Sequence, residues 1–314
     1  MPVAVHEVEV FESARARLEA IAYRLLGSAS DAEDAVQDTF LRWQSADHEH
    51  IETPEAWLTK VLTNLCLNRL TSARARRETY VGQWLPEPVF AGDRMLGPSD
   101  TAEQRESVSI AMLTLMERLT ARERVVYVLR EAFGYSHGEI AEVLDLTEAN
   151  CQQIHRRAKQ HLAADRRRVE VDAAAARRIV EEFLAAALSG RTDSLVKLLA
   201  EDVVSIGDGG GAVFSVPRPI TGALRVARFL RTLFTPSEAK WEMIGGRPDL
   251  YATVANGVPA LVMVVGERVA GVFALDVTAD GIAGVHAQAN PAKLARATSR
   301  WAASEHGEPL AGTW

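Results

Sequence analysis

TARERVVYVLREAFGYSHGEIAEVLDLTEANCQQIHRRAKQH, residues 120–161, carries three helix starts in quick succession. Thr120 with Glu123, and Ser136 with Glu139, fit the S/T-x-x-E capping box, in which two side chains reciprocally satisfy amide donors at a helix start. Gly134 predicts a left-handed stop for the first helix. Asp145-Leu146-Thr147 reads as a tight turn, with Thr147 placed to cap the last helix. Two helices joined by so short a turn make a helix-turn-helix, whose second member enters the DNA major groove. Antiparallel helix hairpins of other function carry the same caps.

The faces of the last helix bear on that choice. At about 3.6 residues per turn, Cys151, Ile154, Ala158 and Leu162 share one side and predict the docking face. Ala149, Gln152, Gln153, Arg156 and Gln160 share the other. Gln and Arg make bidentate bonds to adenine and guanine edges, so this side predicts base reading. Arg157, Lys159, Arg166, Arg167 and Arg168 are candidate phosphate holders, which position a helix without reading sequence. A solvated basic face on an amphipathic helix would show the same pattern.

The 314 residues suit two or three domains, and a formal charge of −7 argues against a uniformly basic nucleic-acid binder. That sum hides local patches. Residues 69–77 hold Arg69, Arg74, Arg76 and Arg77 with no acid, and residues 156–168 hold six cations against Asp165 alone. Local patches set a phosphate footprint. Cys66 and Cys151 stand apart with no metal-ligand spacing and read as buried free thiols, so neither a metal nor a cofactor is expected. The N-terminus is acidic and lacks a signal-peptide core, and the apolar run VPALVMVV is too short to span a bilayer. A soluble, cytoplasmic protein with no membrane partner is expected.

Upstream, Phe11 to Leu26 predicts a first helix broken by Gly27-Ser28. Ser30, with Glu33, predicts the cap of a second helix, SDAEDAVQDTFLRW. Val36, Phe40 and Trp43 form its apolar stripe, opposite Asp31, Asp34 and Asp38. The helix dipole favours acids at an N-terminus, which explains Asp31 and Asp34 but not Asp38, two turns in. Gln44 to Thr53 reads as a loop, and Thr53-Pro54-Glu55 starts a third helix that ends in the arginine cluster. Residues 81–100 hold three prolines and three glycines around Trp84 and Phe90, an apolar linker that predicts docking on a neighbour. One helix is predicted from Ala102 to about Leu119.

After Val169 the pattern changes. Helices from about Asp172 to Leu188 and Asp193 to Ala200 precede the strand-like runs DVVSIGD, AVFSVP, KWEMIG, LYATVAN, PALVMVVG, RVAGVFALDV and GIAGVHAQAN, with a helix at about Ala223 to Phe234. Asn256-Gly257 predicts a hairpin turn. Helices followed by a curved antiparallel sheet make an α+β domain. Gly209-Gly210-Gly211 lacks the GK[ST] ending of a phosphate loop and reads as a bulge or tight turn.

DAEDAVQDTFLRW, PEAWLTKVLTNLCLNRL and YSHGEIAEVLDLTEANCQQIHRRAKQHL, in that order, resemble an extracytoplasmic-function (ECF) sigma factor over about residues 8–168. WLPEP, DGGG at Asp208 to Gly211, NGxPAL at Asn256 to Leu261 and NPxKL at Asn290 to Leu294 resemble the subgroup that carries a C-terminal SnoaL-like domain. Ala212 and Ala292 depart from that subgroup's usual DGGGK and NPDKL. The resemblance implies sigma region 2 over residues 1–80, a linker over 81–100, a region 4 helix-turn-helix over 101–168 and a cone-shaped α+β SnoaL-like domain over 169–314. It implies a non-enzymatic role: binding core RNA polymerase and directing promoter-specific initiation, with the SnoaL-like domain as modulator.

By the same resemblance, Asp31, Asp34 and Asp38 meet the clamp helices of the polymerase largest subunit. The loop at 44–53 captures a flipped base of the −10 element, beside strand-separating Asn64, Asn68 and Arg69, while Arg74, Arg76 and Arg77 hold backbone. Glu148, Gln152, Gln153, Arg156 and Lys159 meet the −35 element. Trp84, Leu85 and Pro86 of the linker are expected to dock on Asp208, Gly209 and Gly210 and on Asn290, Pro291, Lys293 and Leu294. The alternative is that the C-terminal domain senses a small molecule or acts as a cyclase- or isomerase-like enzyme, with Asp208, Asp276 and His286 as candidate acid–base groups and Trp241 lining the site.

Overall fold

The computed structural model describes residues 5–78, 80–99, 101–162 and 172–312, without the side chains of residues 5, 73–78, 102 and 173. The chain divides into two compact units, one of Met1–Thr79, Gly92–Val108 and Met112–Ala164, the other of Tyr80–Ala91, Ser109–Ala111 and Asp165–Trp314. Among the described residues no helix is long and apolar enough to cross a membrane.

The first unit is helical. α1 (Val5–Leu26), α2 (Ala29–Gln44) and α3 (Pro54–Glu78) bury Phe11, Leu18, Ile21, Val36, Trp43, Leu58 and Leu62 against one another. Gly27 turns the chain at φ 66°. The cap of α2 is Ser28, whose hydroxyl accepts from the Asp31 amide at 3.1 Å, and not Ser30 as the capping-box spacing suggested. Early in α2, Ala29 and Ala32 are buried, ahead of the predicted stripe at Val36.

The helix predicted over 102–119 is broken. α4 (Ala102–Glu106) stops at Ser107, and α5 (Ile110–Leu115) begins afresh, followed by a 3-10 turn at Met116–Arg118. The Gln104 carbonyl accepts from the Ser107 hydroxyl at 2.6 Å and from the Arg24 guanidinium at 3.3 Å, so the α-helical pattern gives way there. Arg24 also donates to Ser107 Oγ at 2.8 Å and to the Leu96 carbonyl at 2.6 Å. Burial pushes the Arg24 guanidinium down to about 10 and that of Arg124 to about 9, and both stay charged at neutral pH.

Next come α6 (Ala121–Tyr127), a π-turn at Val128–Ala132, α7 (His137–Leu144) and α8 (Glu148–Leu162). Both capping boxes form: the Thr120 amide meets Glu123 at 2.9 Å and the Ser136 amide meets Glu139 at 2.7 Å, each with the reciprocal bond. Asp145 ends α7 in the left-handed region at φ 53°, and the Thr147 hydroxyl accepts from the Asn150 amide at 3.3 Å. α8 buries Cys151, Ile154, Ala158 and Leu162, the side that the periodicity marks for docking.

The second unit is α+β. α9 (Ala173–Leu188) and α10 (Thr192–Val196) lead to β1 (Leu199–Asp208), β2 (Ile220–Thr221), α11 (Ala223–Phe234), α12 (Glu238–Ile244), β3 (Asp249–Ala255), β4 (Val258–Val265), β5 (Arg268–Thr278), β6 (Gly281–Gln288) and α13 (Pro291–Ala302). The sheet runs β2-β1-β6-β5-β4-β3. Strand alternation divides its side chains between two layers. Leu261, Phe273, Leu275 and Val285 pack with Phe183, Val226, Leu230 and Phe234 of α9 and α11. Val262 and Val272 pack with Leu294 and Trp301 of α13, and Ala274 and Val258 pack with Leu85 and Ile110.

Four expectations fail here. The sheet is mixed, because β1 pairs with β6 in parallel. KWEMIG is helical in α12, stopped by Gly245 at φ 85°; its alternation reflects a half-exposed short helix with Arg247 over the Trp241 ring at 4.2 Å. AVFSVP is no strand: the Gly209 carbonyl accepts from the amides of Ala212 and Val213 at 3.0 and 3.1 Å, closing a turn. The strand-like run GIAGVHAQAN ends short of its predicted close, and beyond β6 the chain forms α13, with Asn290 as cap and Pro291 in the first turn.

Candidate nucleic-acid interface and linker site

On α8, Glu148, Gln152, Gln153, Arg156 and Lys159 are exposed, while the opposite side is docked. Three of them already have partners. Gln152 Nε2 donates to Glu148 Oε1 at 3.3 Å, and Lys159 Nζ lies 3.5 Å from Glu131. Glu131 also meets His155 Nε2 at 2.8 Å, and this contact holds its carboxyl below the ordinary range, aided by the nearby Lys159 charge. His155 in turn lies 3.3 Å from His137. These contacts tie α8 to α7 and to the π-turn, and they leave Gln153 and Arg156 projecting from a supported helix. A helix so held presents Gln and Arg to a groove without reordering.

On α2 and α3 the two predicted sets meet. Asp38 Oδ2 accepts from Arg69 Nη2 at 2.7 Å, the Asp31 carbonyl accepts from Arg69 Nη1 at 3.0 Å, and Asp34 lies 4.0 Å from the same guanidinium. The resemblance implied DNA for Arg69 and polymerase for the acids, whereas in the fold they share an edge. Asn64 and Asn68 are exposed on α3. The side chains of Arg74, Arg76 and Arg77 lie outside the described residues. In the 44–53 segment a 3-10 turn at His48–His50 sets His48 edge-on to Trp43, with ring centroids 4.2 Å apart.

Within this unit α3 also contacts the helix-turn-helix. Lys60 Nζ donates to Asp145 Oδ1 at 2.6 Å and to the Glu142 carbonyl at 3.0 Å, and Thr59 meets the Tyr135 hydroxyl at 3.1 Å.

In the second unit the linker residues converge on one carboxylate. Asp208, 1% exposed at the end of β1, accepts from Tyr80 Oη at 2.6 Å, the Leu85 amide at 2.9 Å, the Gly210 amide at 3.0 Å, Gln288 Nε2 at 3.3 Å and Lys293 Nζ at 2.6 Å. Those donors exhaust the acceptor capacity of a carboxylate. Lys293 also donates to the Leu85 carbonyl at 2.7 Å and stands 4.3 Å from the Trp84 ring and 4.8 Å from that of Tyr80. A cation over aromatic faces is held by the ring quadrupole.

Gln288 donates to the carbonyls of Leu85 and Pro86 at 3.2 and 3.1 Å. Asn290 donates to Tyr80 Oη at 2.8 Å, and burial together with the Asp208 bond pushes the Tyr80 hydroxyl up. Pro291 opens α13, and Leu294 is buried under it. Further along, the Val89 amide donates to Asn256 Oδ1 at 3.0 Å and the Asn256 amide returns a bond to the Val89 carbonyl at 2.8 Å.

The glycines are required by space. A Cβ on Gly209 would stand 1.9 Å from the Val213 carbonyl oxygen, and one on Gly210, at φ 60°, would stand 2.2 Å from Asn290 Nδ2. Tyr80 and Gln288 were not singled out from sequence. Strand alternation places Gln288 beside His286 on the linker face, which was its available signal; Tyr80, at the edge of a basic helix end, had none.

Asp276 and His286 lie 3.3 Å apart, on the sheet face that also carries Ala274 and Asp208. The opposite face bounds a cavity of about 240 Å³ whose lining includes Ser205, Gly207, Phe273 and Ala287. Asp208, Asp276, His286 and Trp241 are not among its lining residues. Among the described residues no group of three or more His, Cys, Asp or Glu side chains is placed to hold a metal ion.

Residues 10–76 match the family Sigma-70 region 2, and residues 109–162 match Sigma-70, region 4. The chain is 40% identical over 225 residues to the ECF RNA polymerase sigma factor SigJ of Mycobacterium tuberculosis strain H37Rv, covering 71% of this chain and 72% of that one. It is 31% identical over 287 residues to a probable ECF RNA polymerase sigma factor SigI of Mycobacterium tuberculosis, covering 89% of this chain and 92% of the relative. The crystal structure of Mycobacterium tuberculosis SigJ superposes with a TM-score of 0.70 at 31% identity, over 91% of this chain and 97% of that one.

Proposed function

The chain belongs to the ECF RNA polymerase sigma factors, and from that premise we propose how its parts divide the work of promoter-specific initiation. α2 offers Asp31, Asp34 and Asp38 to the clamp helices of core polymerase. Asn64, Asn68 and Arg69 on α3, with the arginines that follow, engage the −10 element. α8 reads the −35 element through Gln152, Gln153 and Arg156, with Glu148 and Lys159 at the flanks. This work belongs to the cytoplasm, where polymerase and promoter are. The observation that carries the reading is α8 itself: a capped, docked helix with Gln153 and Arg156 exposed on its outer side, in a family that reads promoters.

The contact of α3 with the helix-turn-helix makes the first unit a closed form. Two elements some 25 base pairs apart lie roughly 80 Å apart along B-DNA, further than side chains bonded at 2.6–3.1 Å can reach together. Polymerase binding must therefore separate α3 from α7, and the Lys60–Asp145 pair, mostly in solvent, is cheap to break.

The C-terminal SnoaL-like domain acts as modulator through the linker. Residues 80–91 join the two promoter-reading modules in sequence and are held by the Asp208–Lys293 pair, so the strength of that hold governs how freely the modules take up promoter spacing. No catalytic step is assigned to Asp208, Asp276 or His286, since bonding to the linker already employs Asp208 and none of the three faces the cavity.

Run-off transcription with core polymerase tests this on full-length chains. Lys293→Met and Asp208→Asn should change transcript yield while the chain still binds polymerase. Unchanged yield in both would sink the modulator reading, and no transcript from the wild-type chain on any promoter library would sink the whole of it.

A further inference from the structure

The cavity in the second unit is walled by β1, β5, β6 and α11 and closed by the turn that follows the glycines. Its lining is aromatic and aliphatic, with Phe229, Phe234, Phe273, Met243 and Met263 prominent. Ser205, Ser215 and Thr232 bring hydroxyls. Lys240 is the one charged residue among the lining side chains, and its ammonium donates to the Thr235 carbonyl at 2.6 Å and to the Thr232 carbonyl. Native interiors are close-packed and hold few voids larger than a water molecule. A space of about 240 Å³ with such walls is built for an apolar occupant.

One wall has a second face. Val213, Phe214, Ser215 and Val216 border the cavity, and Phe214 is 76% exposed at its mouth. The other side of the same turn meets the linker. Gln83 Nε2 donates to the Pro217 carbonyl at 3.0 Å, a Cβ on Gly211 would lie 3.4 Å from Val81, and one on Gly82 would lie 3.7 Å from Ser215 Oγ. Its first residues are fixed by Asp208 and Asn290. The segment from Gly209 to Pro217 thus stands between the cavity and the residues that carry the linker.

We infer that the cavity binds an uncharged, mainly hydrophobic small molecule carrying one hydroxyl or carbonyl, and that its occupancy is transmitted through residues 213–217 to the linker at 81–85. The inference rests on the modulator reading above and supplies its input. An acidic ligand is disfavoured, because the one lining cation is engaged by two carbonyls and a carboxylate would be stripped of water among aromatic rings. An occupant that fills the space behind residues 213–216 supports the turn from within and so holds Gln83 and Leu85 more firmly. The coupling is that of any ligand which binds the closed arrangement in preference to the open one.

The test uses the full-length chain and a matched pair of fluorescent probes, 2-naphthol and 2-naphthoate. 2-Naphthol should bind with one site per chain and a dissociation constant on the order of 100 μM, and 2-naphthoate about tenfold or more weaker. With 2-naphthol at ten times its dissociation constant, amide exchange at Leu85 and across 81–85 should slow by about tenfold. Ser205→Leu, which fills the cavity from β1, should abolish binding at unchanged or raised melting temperature; if it does not fold, Ala270→Leu serves. Absence of 2-naphthol binding overturns the cavity site. Equal binding of the two probes overturns the uncharged class. Binding that leaves exchange at 81–85 unchanged overturns the transmission. Each failure leaves the modulator reading standing, because Asp208→Asn and Lys293→Met test that reading in run-off transcription without any ligand.

Discussion

On α8 the side chains assigned to DNA stand in solvent, and Arg156 is exposed on a face opposite the one that docks. Around Asp208 every polar group is spent: a carboxylate 1% exposed accepts hydrogen bonds from a tyrosine, a glutamine, a lysine and two amides. On the reading proposed above both are recognition sites, one for a partner outside the chain and one for the chain's own linker. An outward-reading surface must leave its donors free and therefore adds little to stability. A self-reading one saturates its donors and becomes part of the fold. The same substitution in the two places should then have opposite signatures, one on binding and the other on stability.

The largest effect is expected at Asp208. Asp208→Ala leaves the Lys293 ammonium without its carboxylate in a buried setting and should cost about 3–5 kcal/mol, read as a lower urea midpoint for the C-terminal transition. Lys293→Met should cost less, because Tyr80, Gln288 and the two amides still satisfy the carboxylate. Equal losses would mean that the neutral donors contribute nothing and would break the description of Asp208 as a shared node.

Arg156→Ala is the counterpart. It should leave unfolding within about 0.5 kcal/mol of wild type, yet remove about 1–3 kcal/mol of discrimination at one base pair of the upstream element. A panel of promoter variants in a binding assay reads this out. Uniform weakening across the panel would instead make Arg156 a phosphate contact.

Between these extremes lies Glu131, which supports α8 from within its unit. Its carboxyl is lowered below the ordinary 4.5 by the His155 bond, with the Lys159 charge assisting against burial. A folded value below the unfolded one contributes stability that is complete above pH 4.5 and is lost as pH falls through the lower folded value. Glu131→Gln should flatten that acid limb in circular dichroism titrations and leave stability above pH 7 lower by about 1 kcal/mol. An unchanged acid limb would remove Glu131 from the support of the recognition helix. Asp38→Ala breaks a half-exposed pair with Arg69 and should cost under about 1 kcal/mol, while lowering affinity for core polymerase. A large fall in melting temperature with unchanged polymerase binding would reverse that assignment.

How much of this could be read beforehand differs between the two regions for a physical reason. Thr120–Glu123 and Ser136–Glu139 are local devices, three residues apart, and the buried side of α8 follows from one helical period, so the promoter-reading module was legible almost residue by residue. The Asp208 site joins positions 80, 85, 208, 288 and 293, whose meeting depends on a parallel β1–β6 pair that no local pattern announces. The motifs DGGG and NPxKL marked where to look. They did not name Tyr80 or Gln288, and α12 was misread because its polar and apolar residues alternate as a strand's would. The break at Ser107 had the same origin, since the Arg24 guanidinium that helps occupy the Gln104 carbonyl comes from the first helix of the chain.

The parallel pairing of β1 with β6 also orders events at the ribosome. Until Gly281–Gln288 has been made, β1 has only the two-residue β2 beside it, and Asp208 waits for Gln288 and Lys293. At roughly 5–20 residues per second, the stretch from Leu162 to Lys293 takes on the order of ten seconds to emerge. Throughout that interval the promoter-reading helices are complete and the linker is unclamped. On the modulator reading, every newborn chain therefore passes through an ungoverned stage. A stalled ribosome, a premature stop or a protease cut before α13 would leave the cell with a pool of that species, able to meet polymerase before the governor has been synthesised.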